Sequence, residues 1–392
     1  MNYHIFQVVP SHEHHFVHSP RTWNFTASLH FRQSVNFHLK LQYEISMSLS
    51  SSSKMLRFSA RSSSTVAFAR THTTNPCSQF RTITSSPVSR GINLESLKLL
   101  DEWIARDKKL VTTATLHTEH LSDLYVTLPT RDGSRKPYRA PHEGNPLPYG
   151  HHLAFFHPRN PESSLRTDGT DADFCPPEPF TRRMWAGGSI EWKKPLIIGH
   201  KAIASSSIGS VKKKGFEMEK EGTTPNPMVF VNQKIEYSHV GSEEVAIEEE
   251  RSHVYLSAPA NSRGVRAVTG LPSPDFSFTY LPTPTTLFRF SALTFNGHYI
   301  HLDKDYAHQE GYSERLVHGP LTALMLLEAL SFHAPETKLK SFEYRARNPL
   351  VVSEPVTIYG AWLSNRSVQL WAVSGDKEVV GMTGKATLFD SL

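Results

Sequence analysis

TPTTLFRFSALTFNGHYIHLDKDYAHQEGYSERLVHGPLTALMLLEALSFH, residues 283–333, sets polar side chains of catalytic type directly before a helix with no polar face. Leu287, Phe288 and residues 290–295 predict an extended run that ends at the turn Asn296-Gly297. His298-Tyr299-Ile300-His301-Leu302-Asp303 follows, and then a short helix from about Asp303 to Gln309 with Asp303 as its cap. His318-Gly319-Pro320 opens a second helix, because proline suits a first turn whose amide has no intrahelical partner. Over residues 321–332 only Thr322, Glu328 and Ser331 interrupt the apolar run, and a helix apolar on every face is buried.

Something must cover that helix, and the next segments supply it. Residues 341–347, 355–363, 367–374 and 378–389 read as strands. Phe342, Tyr344 and Ala346 alternate with Glu343, Arg345 and Arg347, which is the period of a sheet with one wet face. Asn365-Arg366 and Ser374-Gly375-Asp376 mark the hairpins. A buried helix followed by an antiparallel meander predicts an α+β domain.

FRFSALTFNGHYIHLDKDYAHQEGY followed by VHGPL resembles the MaoC-like hot dog dehydratases and hydratases, whose motif has an Asp five residues before a His. His301 matches that histidine and Asn296 takes the aspartate position. The SALTFN-x-H-x-x-H form is most similar to the hydroxyacyl-thioester dehydratase type 2 subgroup, with the mesaconyl-CoA hydratases as near relatives. GNPLPYGHH (144–152), LRTDG (165–169) and RRMWAGG (182–188) resemble its N-terminal half, although Gly150 stands where a tryptophan is expected. The resemblance spans about residues 94–392. It implies a double hot dog of two antiparallel sheets, each wrapped around a central helix, with one active site between the halves.

The other segments fit this division. Residues 94–106 have helical spacing, 129–150 read as loop and 151–157 as a short helix. Strands are expected after Gly187-Gly188 and at 201–211, 227–237 and 244–256. Residues 257–284, with five prolines, read as a linker between a domain of residues 94–256 and one of residues 285–392.

The chain has 392 residues and a net charge of +5. Residues 1–94 hold nine Lys/Arg against Glu13 and Glu44, so the rest of the chain is slightly acidic and gives no case for nucleic-acid binding. Residues 1–93, rich in Ser, Thr and Arg, have the composition of a disordered leader with a mitochondrial transit peptide, for which Met47 or Met55 is a more usual start than Met1; the destination would be the matrix. His12-Glu13-His14-His15 lies there with nothing ordered to hold a metal. Cys77 and Cys175 are the only cysteines, which suits a reducing compartment, and no run of 18 apolar residues offers a membrane span.

Removing water from a 3-hydroxyacyl thioester requires a base for the C2 proton, a contact to the departing hydroxyl and a donor to the enolate oxygen. Imidazole titrates near neutrality, so His301 is the expected base. A carboxamide has no proton titrating there, so Asn296 is expected to hold the hydroxyl or water while His301 alone moves the proton. Gly319 is expected to offer its amide as an oxyanion donor, with Pro320 fixing the turn. His318 either lines the substrate site or packs before the helix. No metal or cofactor is expected, and a site of His298, His301 and Asp303 lacks a fourth ligand. Lys212 to Lys214 could dock an acyl carrier protein, but the acids that follow favour a solvated loop. Arg182 and Arg183 contact either a carrier phosphate or local acids.

The resemblance implies a mitochondrial (R)-3-hydroxyacyl-thioester dehydratase acting on acyl carrier protein in type II fatty acid synthesis. The alternatives are a mesaconyl-type enoyl-CoA hydratase and a hot dog protein that binds acyl thioesters without turnover. Oligomeric state stays open, a homodimer included.

Overall fold

The computed structural model describes residues 42–46, 59–63, 93–216, 227–257, 264–375 and 378–389. Apart from residues 42–46 and 59–63, the leader read as a transit peptide, with the alternative starts and the His12–His15 cluster, lies outside the described residues. Two compact units divide the chain, residues 1–87 and 88–392. In the first, β1 (Gln42–Ser46) and β2 (Ser59–Ser63) pair antiparallel.

The second unit begins with α1 (Leu94–Ala105), where the Asn93 side chain accepts from the Ser96 amide at 2.8 Å and Leu100 and Trp103 are buried. Then come β3 (Lys109–Thr115), α2 (Thr118–Tyr125) and a long connection holding two short 3₁₀ turns, His151–Ala154 and Glu162–Ser164. Strands β4 (Arg182–Trp192), β5 (Lys201–Lys214), β6 (Met228–His239) and β7 (Val245–Leu256) complete the first half.

The second half starts inside the stretch read as linker, with β8 (Phe276–Tyr280), which pairs with β10. After it come α3 (Pro284–Leu293), α4 (Tyr299–Leu302), α5 (Lys304–Gln309) and α6 (Gly319–His333). The meander β9 (Leu339–Ala346), β10 (Val356–Ser364), β11 (Ser367–Ser374) and β12 (Val379–Leu388) closes the chain, in agreement with the alternation.

The extended run expected over 287–295 is the helix α3. Thr283 and Thr286 form a capping box, with Pro284 in the first turn. Leu287, Phe290, Ser291 and Leu293 face inward, while Phe288 is exposed. A one-sided aromatic helix was thus concealed as a β-like string.

The ten strands among the described residues of this unit form one antiparallel sheet, ordered β3-β5-β6-β7-β4-β9-β12-β11-β10-β8. Numbered within its own half, each set of five runs 1-3-4-5-2 from the outer edge inward. The hot dog duplication is therefore present in topology, but the two separate wrapped sheets are not. They fuse because β4 and β9 would each expose an unpaired edge, and their pairing satisfies both backbones. Gly187 and Gly188 stand at this seam, opposite Arg345 and Tyr344. A Cβ on Gly187 would lie 2.4 Å from the Tyr344 carbonyl oxygen, so no larger residue fits there without moving a strand.

Helix α6, about 22 Å long by its 15 residues, packs against β8, β10, β11 and β12 and is buried from Leu321 to Leu330. Its one charge, Glu328, accepts from Arg131 Nε at 2.7 Å and Nη2 at 2.8 Å and from Thr130 Oγ1 at 2.6 Å, and meets His151 Nε2 at 2.8 Å. Gly150, left-handed at φ +82°, packs so closely that a Cβ would lie 2.8 Å from Leu327 Cδ1, which leaves no room for the expected tryptophan.

Candidate active site

Residues 294–303 connect α3 to α5 and carry the candidate chemistry. Phe295 takes a positive φ of 50°, an uncommon conformation for a bulky residue, immediately before Asn296. The Asn296 amide donates to the Ser291 carbonyl at 2.8 Å, and its side-chain Oδ1 accepts from the His298 amide at 3.1 Å. Gly297 abuts Gly169 of the Leu-Arg-Thr-Asp-Gly loop, where a Cβ on Gly169 would meet the Gly297 oxygen at 2.2 Å. The Tyr299 amide donates to the Asp168 carbonyl at 3.0 Å, so a loop of the first half fixes the segment of the second that carries Asn296 and His301.

His301, on α4, uses Nδ1–H to donate to the Leu316 carbonyl at 2.7 Å, which leaves Nε2 with its lone pair. Its ring stacks on His318 at 3.7 Å between centroids and 21° between planes. Burial, aided by the Arg183 charge and opposed by the Leu316 hydrogen bond, pushes the imidazole down to about 4. His301 is therefore neutral at cellular pH.

Asn296, His301, Gly319 and Pro320 all line one cavity of about 520 Å³. Gly319 presses on Trp185, where a Cβ would lie 2.9 Å from Cδ1 and Cγ. Its amide, at the first position of α6, donates to no acceptor among the described residues, so it is free to meet an oxygen in the cavity.

His318 is not in that wall. It is fully buried behind His301, 2.9 Å from Ser291 Oγ, so it contacts His301 and not the cavity. The alternative metal trio does not converge: Asp303 Oδ1 accepts from the Tyr306 amide at 2.9 Å and His301 Nδ1 is bound to Leu316. Among the described residues no three His, Cys, Asp or Glu side chains are grouped to hold a metal.

The same cavity takes in groups that sequence reasoning gave no role or left undecided: Asp168, Arg182, Arg183, Trp185 and Tyr306. Arg182 bonds Glu310, which settles it as a local pairing, while Arg183 makes no hydrogen bond or ion pair among the described residues and has Asp168 and Asp171 near enough to favour its charge. Asp168 is buried, its Oδ1 accepting from the Thr170 amide and hydroxyl at 3.0 and 2.6 Å. Its Thr-Asp-Gly turn was the available signal. His298 Nε2 lies 3.9 Å from Asp168 Oδ2, but burial, with His301 and Arg183 adding, holds His298 neutral, so the contact is not an ion pair.

The profile of the hydroxyacyl-thioester dehydratase type 2 family matches residues 150–352. The mesaconyl-C(4)-CoA hydratase of Chloroflexus aurantiacus is 39% identical over 218 residues, 55% of this chain and 74% of the relative. The chain belongs to the hydroxyacyl-thioester dehydratase type 2 family. The mitochondrial member from Schizosaccharomyces pombe is 30% identical over 233 residues, 53% of this chain and 76% of the relative. Among solved structures, a MaoC-like dehydratase from Phytophthora capsici aligns with a TM-score of 0.54 at 14% identity, covering 77% of this chain and all of the other. HtdX of Mycobacterium tuberculosis aligns at 0.51 with 13% identity, covering 72% and all of that chain. These likenesses speak for the fold. Family membership makes the protein a hydro-lyase, a hydratase or dehydratase of acyl thioesters.

Proposed function

We propose that the protein interconverts (R)-3-hydroxyacyl and trans-2-enoyl thioesters, with His301 as the single acid–base group. In the dehydration direction His301 Nε2 takes the C2 proton, the C3–O bond breaks as the C2=C3 bond forms, and the proton passes to the departing hydroxyl, which leaves as water. Asn296 holds that oxygen through its amide. The enolate oxygen is met by the free Gly319 amide at the positive end of α6. The observation that carries this reading is the one cavity that His301, Asn296 and Gly319 all line.

For the carrier, support comes from the cavity's cationic end. Lys214, Arg266, Arg345 and Arg347 line it with no carboxylate bonded to them among the described residues, and burial together with Arg345 and Arg266 lowers the Arg347 pKa. Such a group suits the phosphate of a pantetheine arm. Fungal relatives named as mitochondrial favour acyl carrier protein in mitochondrial type II fatty acid synthesis, in the matrix. The bacterial relative favours a second reading, hydration of a short branched enoyl-CoA.

The test is hydration of crotonyl-CoA, followed by loss of enoyl absorbance. His301→Ala lowers the rate by about two to four powers of ten with the circular dichroism spectrum unchanged. A drop of less than threefold would remove His301 from the mechanism. The same assay with crotonyl-loaded carrier protein decides between the carriers.

A further inference from the structure

Asn296, His301 and Gly319 stand on three separate segments, and one buried pair of side chains is joined to all of them. Ser291 lies on the last turn of α3. Its carbonyl accepts from the Asn296 amide at 2.8 Å, and its Oγ meets His318 Nε2 at 2.9 Å. His318 in turn lies face to face with His301 and immediately precedes Gly319, the first residue of α6.

An apolar pair would fill this space at less cost. His318 is fully buried and its Nδ1 has no hydrogen-bond partner among the described residues, so the imidazole gives up hydration that a leucine never has. What it provides in return is a held surface. The Leu316 carbonyl grips His301 by one edge, and the terminal torsion of a histidine is broad, so that bond alone leaves the ring free to tilt. The His318 ring, 3.7 Å away and at 21°, closes off the tilt. His318 is itself fixed. Ser291 holds its edge, the Phe290 ring stands at 64° to it with 5.1 Å between centroids, and its carbonyl accepts from the Thr322 amide and hydroxyl at 3.0 and 3.1 Å. The stack also bears on charge. On taking the C2 proton His301 becomes an imidazolium, which a neutral aromatic face favours and a second cation opposes. Burial, with His301 and His298 adding, holds His318 neutral.

We propose that Ser291 and His318 are positioning residues, which together hold the plane of His301 and set it relative to Asn296 and Gly319. This rests on the reading of His301 as the acid–base group, and neither residue lines the cavity. Their loss is therefore expected in kcat and not in binding. Two measurements on the full chain test it: saturation kinetics of crotonyl-CoA hydration, and calorimetric binding of butyryl-CoA, which is saturated and cannot be hydrated. Ser291→Ala keeps the His318 ring and the carbonyl to Asn296 but frees the edge of the ring, and is expected to lower kcat about three- to tenfold. His318→Gln keeps a polar end for Ser291 but offers no aromatic face, and is expected to lower kcat about ten- to a hundredfold. In both variants KM for crotonyl-CoA and Kd for butyryl-CoA stay within about twofold of wild type. A kcat within about twofold of wild type in Ser291→Ala overturns the proposal, as does butyryl-CoA binding that weakens in step with kcat, the mark of general damage to the site. Should His318→Gln fail to fold, Ser291→Ala decides alone. If His301→Ala leaves hydration intact, the reading of the base fails; if His301→Ala abolishes it while these two variants hydrate normally, only this proposal does.

Discussion

The two halves of the sheet follow the same strand order and fill the space beside it differently. In the second, fifteen residues of α6 lie across β8, β10, β11 and β12 with almost every side chain apolar. In the first, the equivalent connection between β3 and β4 yields only the eight-residue α2 and two 3₁₀ turns. β6 and β7 mix Glu249, Arg251 and His253 with Ile235, Tyr237 and Ile247, and Tyr237 Oη donates to Glu249 at 2.6 Å. One half thus supplies a rigid helix whose N-terminus faces the cavity, and the other supplies room with polar walls. A duplicated fold can divide its labour this way because backbone pairing holds both sheets whatever covers them.

That division is broken most severely at Glu328, which ties α6 to the first-half residues Thr130, Arg131 and His151. Glu328→Ala leaves Arg131 and His151 without their acid and is expected to cost about 3–5 kcal/mol in urea unfolding. A loss under about 1 kcal/mol would mean that the halves do not depend on this tie. Arg131 and His151 hold the Glu328 carboxyl well below the usual carboxylate range despite its burial. A depressed folded pKa contributes stability above the unfolded value of about 4.3, and loses it as pH falls through the folded one. The deficit of Glu328→Gln relative to wild type should accordingly shrink in acid below about pH 4.

A smaller effect is expected where the helix tip meets the first half. Gly319→Ala drives a Cβ into Trp185 and displaces the free amide, for about 1–3 kcal/mol of strain and a fall of roughly ten- to a hundredfold in kcat/KM. Unchanged turnover with an unchanged melting temperature would separate Gly319 from the oxyanion role. The mildest signature is in the pH profile. His301 acts as a base only when neutral, and burial holds its pKa at about 4. The acid limb of kcat/KM therefore belongs near that value, with a flat profile down to about pH 5.5. A limb near 6.5 would place the essential base in an open, hydrated setting instead.

Local signals were legible where one physical cause acted alone. The apolar run after Gly319 could only be a buried helix, Asp303 could cap α5, and alternation at Phe342, Tyr344 and Ala346 gave β9 its inward face. Competing causes misled. Phe288 and its neighbours have strand-like composition, yet the capping box at Thr283 and Thr286 and a buried one-sided stripe make a helix. β8 lies in a proline-rich stretch read as linker, because an edge strand needs hydrogen bonds from only one neighbour and tolerates prolines around it.

The helix that begins at Gly319 was determined by residue type and spacing, which act over a few positions along the chain, and His301 and Asn296 were singled out by their match to a family motif. The single ten-stranded sheet, the placing of His318 behind His301 and the place of Arg183 in the cavity wall were decided only on folding. Strand pairing between distant segments uses backbone groups common to every residue, and whether a charge finds a partner depends on what arrives beside it in space. The sequence could name candidate side chains, but the cavity that joins them exists only between the two halves.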